Sequence, residues 1–317
     1  MKRVFSSLIL ALGLLAVPAQ AADYPTKPIT LMTAFNAGGG SDVSHRLLEK
    51  FAKGVFDQPI VVTYKAGAGG EIGWTWLAGA KPDGYTIGGV DLPHIVLQPM
   101  LRPEGQPGYK TEQLSPLCGL VYDADVVMVP EAGPHKTFKD LIAYARANPG
   151  KVKVATVGRL TGDHLFLMQI EKLTGAKFTQ VPYPGSGKAI PALLSGEVDA
   201  YFGSGSSFLR MEKTRGLAVG SRERYELCPD VPTFIEQGYD IESGKYRGLA
   251  TPRNIPAEAR QYLETRFAEL CANPEYQKAV KSSGLTPFFQ TGKDFGETIR
   301  TQGKQAEKLL EASGLLK

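Results

Sequence analysis

The chain has 317 residues, with 36 Lys and Arg against 32 Asp and Glu and a formal charge of +4. Basic and acidic residues are interspersed, which excludes both a nucleic-acid footprint and an acidic tail. The length is sufficient for two domains, and the three cysteines (Cys118, Cys228, Cys271) form no CxxC or Cys/His cluster that would hold a metal.

At the start, Lys2 and Arg3 precede the apolar run from Leu8 to Val17, and Ala19-Gln20-Ala21 is a small-x-small cleavage site. This is the pattern of a secretory signal peptide, residues 1–21, cut after Ala21. No lipobox cysteine lies nearby, and no later stretch reaches the ~18 apolar residues of a membrane span. Export to an oxidising compartment permits one disulfide, and Cys228 with Cys271 is the expected pair.

Pro28 to Ala34 is a short apolar run that reads as a buried strand, and residues 43–55 place Val43, Leu47, Phe51 and Val55 on one helical face. Between them lies Phe35-Asn36-Ala37-Gly38-Gly39-Gly40-Ser41-Asp42, with Ser41 or Asp42 as the expected N-cap. Glycine amides at the positive end of a helix suit an anion, although the same glycines also serve a plain tight turn. A strand over 59–64 then leads into Lys65-Ala66-Gly67-Ala68-Gly69-Gly70 and a second helix from Glu71, which ends at Lys81-Pro82-Asp83-Gly84. With the strand over 85–90 this makes βαβαβ, the signature of a largely parallel sheet. Residues 99–114 read as a surface loop.

A strand over 125–130 marks a domain crossover. Thr137 and Asp140 make a capping-box-like start for a helix that stops at Asn148-Pro149-Gly150. A second α/β unit follows, with strands over 152–156, 178–182 and 198–202 alternating with polar loops and helices. Strands over 215–220 and 246–251 come next, the latter returning to the first domain. The C-terminal part is helical over 256–272 and 274–282, with a last helix opened by Thr291 and Asp294.

Catalytic patterns are missing. Ile72 stands where a dinucleotide fingerprint needs its third Gly; Gly187-Lys188 lacks the first Gly and the Ser/Thr of a phosphate loop; no G-x-S-x-G elbow occurs. His45, His94, His135 and His164 show no H-E-x-x-H spacing, and His45 and His135 read as solvated. Asp123 and Asp125 are paired carboxylates that nothing in the sequence places in a cleft. What remains are Gly-, Ser- and Thr-rich loops at strand ends, where open α/β sheets bind small molecules.

In the order and spacing of these loops the chain resembles the Bug family, the extracytoplasmic solute-binding proteins of tripartite tricarboxylate transporters. Residues 24–29 (YPTKPI) match the usual mature start, and residues 35–42 match F-x-P-G-G-G-x-D with Ala37 in place of Pro. Gly67-Ala68-Gly69-Gly70 with Gly73 matches P-G-A-G-G-x-x-G with Ala66 in place of Pro, and residues 82–86 are P-D-G-Y-T. Residues 181–187 resemble V-P-Y-x-G-x-G, Val198-Asp199 matches V-D, and residues 229–238 follow P-D-V-P-T-x-x-E-x-G. The similarity spans nearly all the chain after the signal peptide.

The resemblance implies an α/β, two-domain, periplasmic-binding-protein-like fold (type II-like) with crossover strands and a ligand cleft between the domains. The expected divisions are 22–124 with 247–317 for the first domain and 125–246 for the second. It implies a periplasmic protein that is not an enzyme, needs no cofactor and captures a small organic carboxylate, mono- or dicarboxylate, aromatic acids included. Its partners would be integral membrane transporter subunits, or alternatively a sensor kinase; an enzyme on the same fold is the third reading. Carried over by motif, the ligand carboxylate is expected at Asn36, Ala37, Gly38, Gly39, Gly40 and Ser41 and at Ala66, Gly67, Ala68 and Gly69. In the second domain Thr161 and His164 match the family's G-S-x-x-H segment, while Leu160 departs from its Gly. Arg159 or Arg247 is expected to pair a second, distal carboxylate through the planar guanidinium, and Tyr183 and Phe202 to wall the pocket.

Overall fold

A computed structural model describes residues 24–102, 106, 108–312 and 314–316; the expected signal peptide lies outside the described residues. The chain runs β1 (Ile29–Thr33), α1 (Gly40–Ala52), β2 (Ile60–Tyr64), α2 (Glu71–Ala78), β3 (Thr86–Leu92), α3 (His94–Leu101) and β4 (Leu114–Pro130). It continues with α4 (Phe138–Ala147), β5 (Lys153–Thr156), α5 (Gly162–Thr174), β6 (Thr179–Pro182), α6 (Ser186–Leu194), β7 (Ala200–Ser204), α7 (Gly205–Phe208) and β8 (Thr214–Val219). Last come β9 (Gly244–Pro252), α8 (Ala257–Ala272), α9 (Pro274–Ser282), β10 (Thr286–Thr291) and α10 (Gly292–Ala312). Among the described residues no helix is long and apolar enough to cross a membrane.

All ten strands join one sheet in the order β2-β1-β3-β9-β4-β7-β5-β6, with β10 and β8 also pairing β4. The 17-residue β4 carries the architecture. Its first part, to Ala124, pairs β9 and β10, and from Asp125 it pairs β7 and β8. A β-strand has ladder groups on both edges along its whole length, so one long strand can serve two half-sheets in succession. Each half has its own core. Ile29, Leu31, Ile87, Leu249 and Phe267 fill the first, and Val127, Phe138, Phe166, Leu217 and Phe234 the second. The result is two α/β lobes joined by crossover strands.

Local signals account for most of the elements. Thr137 and Asp140 form the expected reciprocal capping box of α4, and Thr291 and Asp294 open α10, with the Asp294 amide donating to Thr291 Oγ1 at 3.2 Å. Val43, Leu47, Phe51 and Val55 share a half-buried face that packs against the first core, beside the buried Ser44, His45, Leu48 and Ala52 of α1. Four readings need correction, beginning with the start of that helix. Its N-cap is Gly39, because the Asp42 carboxylate turns back to accept the Gly38 amide at 2.7 Å and Ser41 donates elsewhere. Part of the supposed loop 99–114 belongs to α3, which contains Pro99 in its last turn, and residues 286–291, assigned to no element from the sequence, form β10. Finally, His45 and His135 are buried. His45 Nδ1 lies 2.7 Å from Thr33 Oγ1, and the His135 ring is 5.2 Å from that of Tyr144.

The three cysteines are free thiols, all buried. Cys228 belongs to the core between the lobes and Cys271 to that of the first lobe, so the expected disulfide does not form.

Candidate functional site

The lobes meet through the strand-to-helix loops singled out above. From the first lobe, residues 36–41 lie against Gly185, Ser186 and Gly187, where α6 begins. The approach is close enough that a Cβ on Gly187 would overlap the Ala37 carbonyl oxygen, and one on Gly39 would stand 2.9 Å from Ser186 Oγ. Gly69 lies against Gly158, Arg159 and Thr161, and Gln98 Nε2 donates across the gap to the Leu160 carbonyl at 2.9 Å.

Between these loops is a cavity of about 20 Å³, room for a water molecule or so. Phe35, Gly39, Gly40 and Ser41 line it from the first lobe, Val157, Gly185, Ser186 and Ser204 from the second. Asp91, His94, Lys245 and Arg247 complete the wall. A larger concavity of about 770 Å³ opens elsewhere, lined by Tyr122, Tyr246, Phe288 and residues of α10. Side chains alternate along a strand, so Tyr122 and Tyr246 lie on the face of β4 and β9 away from Asp123, Lys245 and Arg247. The converging polar groups are in the small cavity, and that is the candidate site.

Its charged groups come from the crossover strands. The antiparallel register sets Asp91 opposite Arg247 and Asp123 opposite Lys245. Arg247 Nη1 donates to Asp123 Oδ2 at 2.7 Å, Nη2 to Ser204 Oγ at 3.0 Å, and Nε lies 3.0 Å from Asp91 Oδ1. Asp91 also accepts from Ser41 Oγ at 2.8 Å, and Asp123 accepts the amide and hydroxyl of Ser206 at 2.9 and 2.6 Å. Lys245 donates to Asp125 and lies 2.6 Å from Asp163, in the first turn of α5. Asp125 accepts from Ser243 Oγ at 2.6 Å and Asp163 from the Val157 amide at 3.0 Å.

Burial in this low-dielectric core raises the Asp91 and Asp163 carboxyls above the usual carboxylate range, with the nearby cations opposing. For Lys245 and Arg247 burial pulls downward, but the flanking aspartates outweigh it and both stay firmly protonated. Burial, with Lys245 and Arg247 beside it, pushes the His94 imidazole well below its ordinary value and keeps it neutral. Its Nδ1 finds no hydrogen-bond partner among the described residues.

The expected site residues divide accordingly. Gly39, Gly40 and Ser41 line the cavity; Asn36, Ala37 and Gly38 form the lip beside them. Of Ala66, Gly67, Ala68 and Gly69 none lines the cavity, and Gly69 lies against Gly158, Arg159 and Thr161 of the other lobe. Thr161 is spent as the N-cap of α5, accepting from the His164 amide while donating to the Gly158 carbonyl at 2.9 Å. His164 is half-buried, its Nδ1 accepting from the Leu160 amide at 3.2 Å. Arg159 is exposed and outside the cavity wall. Arg247 is in the wall, yet Asp91, Asp123 and Ser204 occupy its fork, so it is not the free clamp for a distal carboxylate that its sequence position suggested. Tyr183 is tied to Glu197 at 2.8 Å outside the cavity, and Phe202 packs on Phe166 and Phe178 in the second core; neither walls the pocket. Asp91, Asp163 and Lys245 went unread, His94 was noted only for lacking a metal-binding spacing, and Asp123 and Asp125 were seen as a pair but not placed in the cleft. A signal existed: Asp123/Asp125 and Lys245/Arg247 are charges two apart within apolar strands, which puts each pair on one face.

A sequence model of the tripartite tricarboxylate transporter family receptor, TctC, matches residues 45–315. The chain is 30% identical to a protein of Cupriavidus necator encoded in the gbd 5' region, over 97% of this chain and 94% of that one. It is also 30% identical to the protein BugT of Bordetella pertussis, over 98% and 94%. Among solved structures, a periplasmic transporter superposes with a TM-score of 0.88 at 29% identity, covering 92% of this chain and 99% of that one. The periplasmic binding protein BugD does so with 0.86 at 26% identity, again over 92% and 99%. A strand-crossed pair of α/β lobes closing on a cleft, with this extent of similarity, makes the chain a member of the tripartite tricarboxylate transporter receptor family, the Bug-type solute-binding proteins.

Proposed function

We propose that this chain captures a small organic carboxylate in the periplasm and hands it to the membrane subunits of a tripartite tricarboxylate-type transporter. One observation carries the reading: the start of α1 faces the inter-lobe cavity with Gly39, Gly40 and Ser41. The first-turn amides of a helix have no intrahelical partners and sit at the positive end of its dipole, so a carboxylate gains hydrogen bonds and field together. A close approach explains Gly40, since a Cβ there would stand 2.7 Å from Arg247 Nη2. Two structures of this fold, one from Rhodopseudomonas palustris with adipate and MatC from the same organism with malate, hold carboxylates. The bodies that part and close around the solute are residues 22–124 with 247–317, and 125–246. Binding is non-covalent and uses no cofactor.

A thermal-shift screen of the protein lacking residues 1–21 against organic acids, with matching amides and alcohols, tests this. At 100 times its Kd a ligand adds about 2.7 kcal/mol of stability by mass action. Stabilisation by acids and not by their uncharged partners is expected; equal stabilisation by the amides would refute the carboxylate reading.

A further inference from the structure

We propose that Gln98 is a positioning residue for closure: its side-chain amide clasps the loop of residues 158–161 and holds the lobes together from outside the solute cavity. This concerns the motion of the lobes and stands whatever the chemistry of the solute. Residues 66–70 and 158–164, two segments expected at the ligand, contribute nothing to the cavity wall. They meet each other instead, with Gln98 between them. Gln98 projects from α3 of the first lobe and is 4% exposed. Its Nε2 donates to the Leu160 carbonyl at 2.9 Å and lies 3.4 Å from that of Arg159, both in the second lobe.

The backbone on both sides is shaped for this bond. Gly69 has a φ of +65°, and a Cβ there would stand 2.5 Å from Gln98 Nε2 and 3.0 Å from the Arg159 carbonyl oxygen, so glycine leaves room for the amide. Leu160 has a φ of +56°, a left-handed conformation that a residue with a Cβ adopts at a cost. That turn is held at both ends: the Leu160 amide donates to His164 Nδ1 at 3.2 Å, and its carbonyl accepts from Gln98. Thr161 Oγ1 and Gln180 Nε2 fix the loop further by donating to the Gly158 carbonyl at 2.9 and 3.2 Å. The second lobe thus presents a pre-formed pair of carbonyls, and the donor that fills them belongs to the first. A bond of this kind exists only while the lobes are together, so its net contribution falls on the closed form and shifts the balance between closed and open. An apolar side chain at position 98 leaves the carbonyls buried without that donor, a loss on the order of tenfold in the same balance.

Single-molecule fluorescence transfer measures that balance in the protein lacking residues 1–21. Dyes go on Lys81→Cys in the first lobe and Lys177→Cys in the second, where the lysine side chains are 82% and 63% exposed; the native thiols are buried. The ratio of closed to open molecules is read without solute and along a titration with sodium malate. Gln98→Met should lower that ratio about tenfold at every point, with the far-ultraviolet circular dichroism of the wild type. The solute-free ratio decides the matter even where malate does not bind, which keeps a failure of the carboxylate reading separate from a failure of this one. Gly69→Ala, which drives a methyl group against Gln98 Nε2, should give a similar fall. Combining the two should add less than about threefold to either alone, because both remove one contact. A ratio for Gln98→Met within about threefold of the wild type, or two losses that multiply in full, overturns the proposal. If Gln98→Met does not fold, Gly69→Ala decides alone, and an unchanged ratio overturns the proposal.

Discussion

Replacing Lys245 with Met puts a magnitude on the buried network. The Lys245 side chain is 2% exposed, that of Asp125 1% and that of Asp163 0%, so its loss strands two carboxylates where water cannot reach them. Removing one partner of a buried ion pair costs about 3–5 kcal/mol, because desolvation of the remaining charge is no longer offset. For a protein of this size each kcal/mol moves the melting temperature by about 2–4 °C, giving a fall on the order of 10 °C. Urea unfolding followed by circular dichroism at pH 7 measures it. Without the ammonium, the Asp163 carboxyl, already raised by burial, rises further above its unfolded value. A raised carboxyl contributes stability at low pH that is lost as pH climbs through the folded value. The deficit of Lys245→Met should therefore be smallest in acid and widen toward neutrality. Adding Asp125→Asn and Asp163→Asn should recover most of it. A loss below about 1 kcal/mol, or a deficit that the two Asn changes leave intact, would refute the charge-balance reasoning.

Gly187→Ala places a methyl group in the Ala37 carbonyl oxygen while favouring the helix that Gly187 occupies, since Ala exceeds Gly by about 1 kcal/mol in helices. The variant should keep its fold but fail to close, with a larger radius of gyration in solution scattering and at least tenfold weaker solute binding; an unchanged radius and affinity would show that the lobes do not meet there. His45, fully buried, is pushed by burial from 6.5 down to about 4, so the unfolded chain binds the extra proton between these values. Its stabilising share is complete above pH 6.5 and falls by about 3 kcal/mol as pH drops to 4. The stability difference between the wild type and His45→Gln should track that fall in urea titrations, and a difference flat with pH would contradict it.

The sequence showed the repeating strand, loop and helix pattern because each element is specified locally: capping pairs at Thr137 and Thr291, stop signals at Asn148-Pro149-Gly150, apolar runs of strand length. The long strand was read only from Asp125, since Pro116 and Gly119 in its first part mask a segment whose pairing comes from β9 and β10 far along the chain. The site was half legible. Gly39, Gly40 and Ser41 announce themselves as a helix start, a local property. Arg247 was found but misjudged, because whether an arginine is free depends on Asp91 and Asp123, which are distant in sequence and brought alongside by strand register. Phe202 and Tyr183 failed for the same reason: alternation along β7 and the side of a loop decide whether a ring meets solute or core.

The position of β9 bears on how the molecule can be made. It lies between β3 and β4, so the middle of the first half-sheet stays open until residues 244–252 exist and arrive. Some three-quarters of the chain must be synthesised before that gap can close. Ladder contacts such as Gly88 with Ala250 join residues very far apart, a topology that folds slowly because loop closure precedes any reward. A chain ending before Gly244 would present two facing unpaired strand edges, a hazard for aggregation and a natural target for a holding chaperone. The strand that carries Lys245 and Arg247 into the cleft thus also closes the middle of the first half-sheet, so the cations of the site and the join between β3 and β4 arrive together.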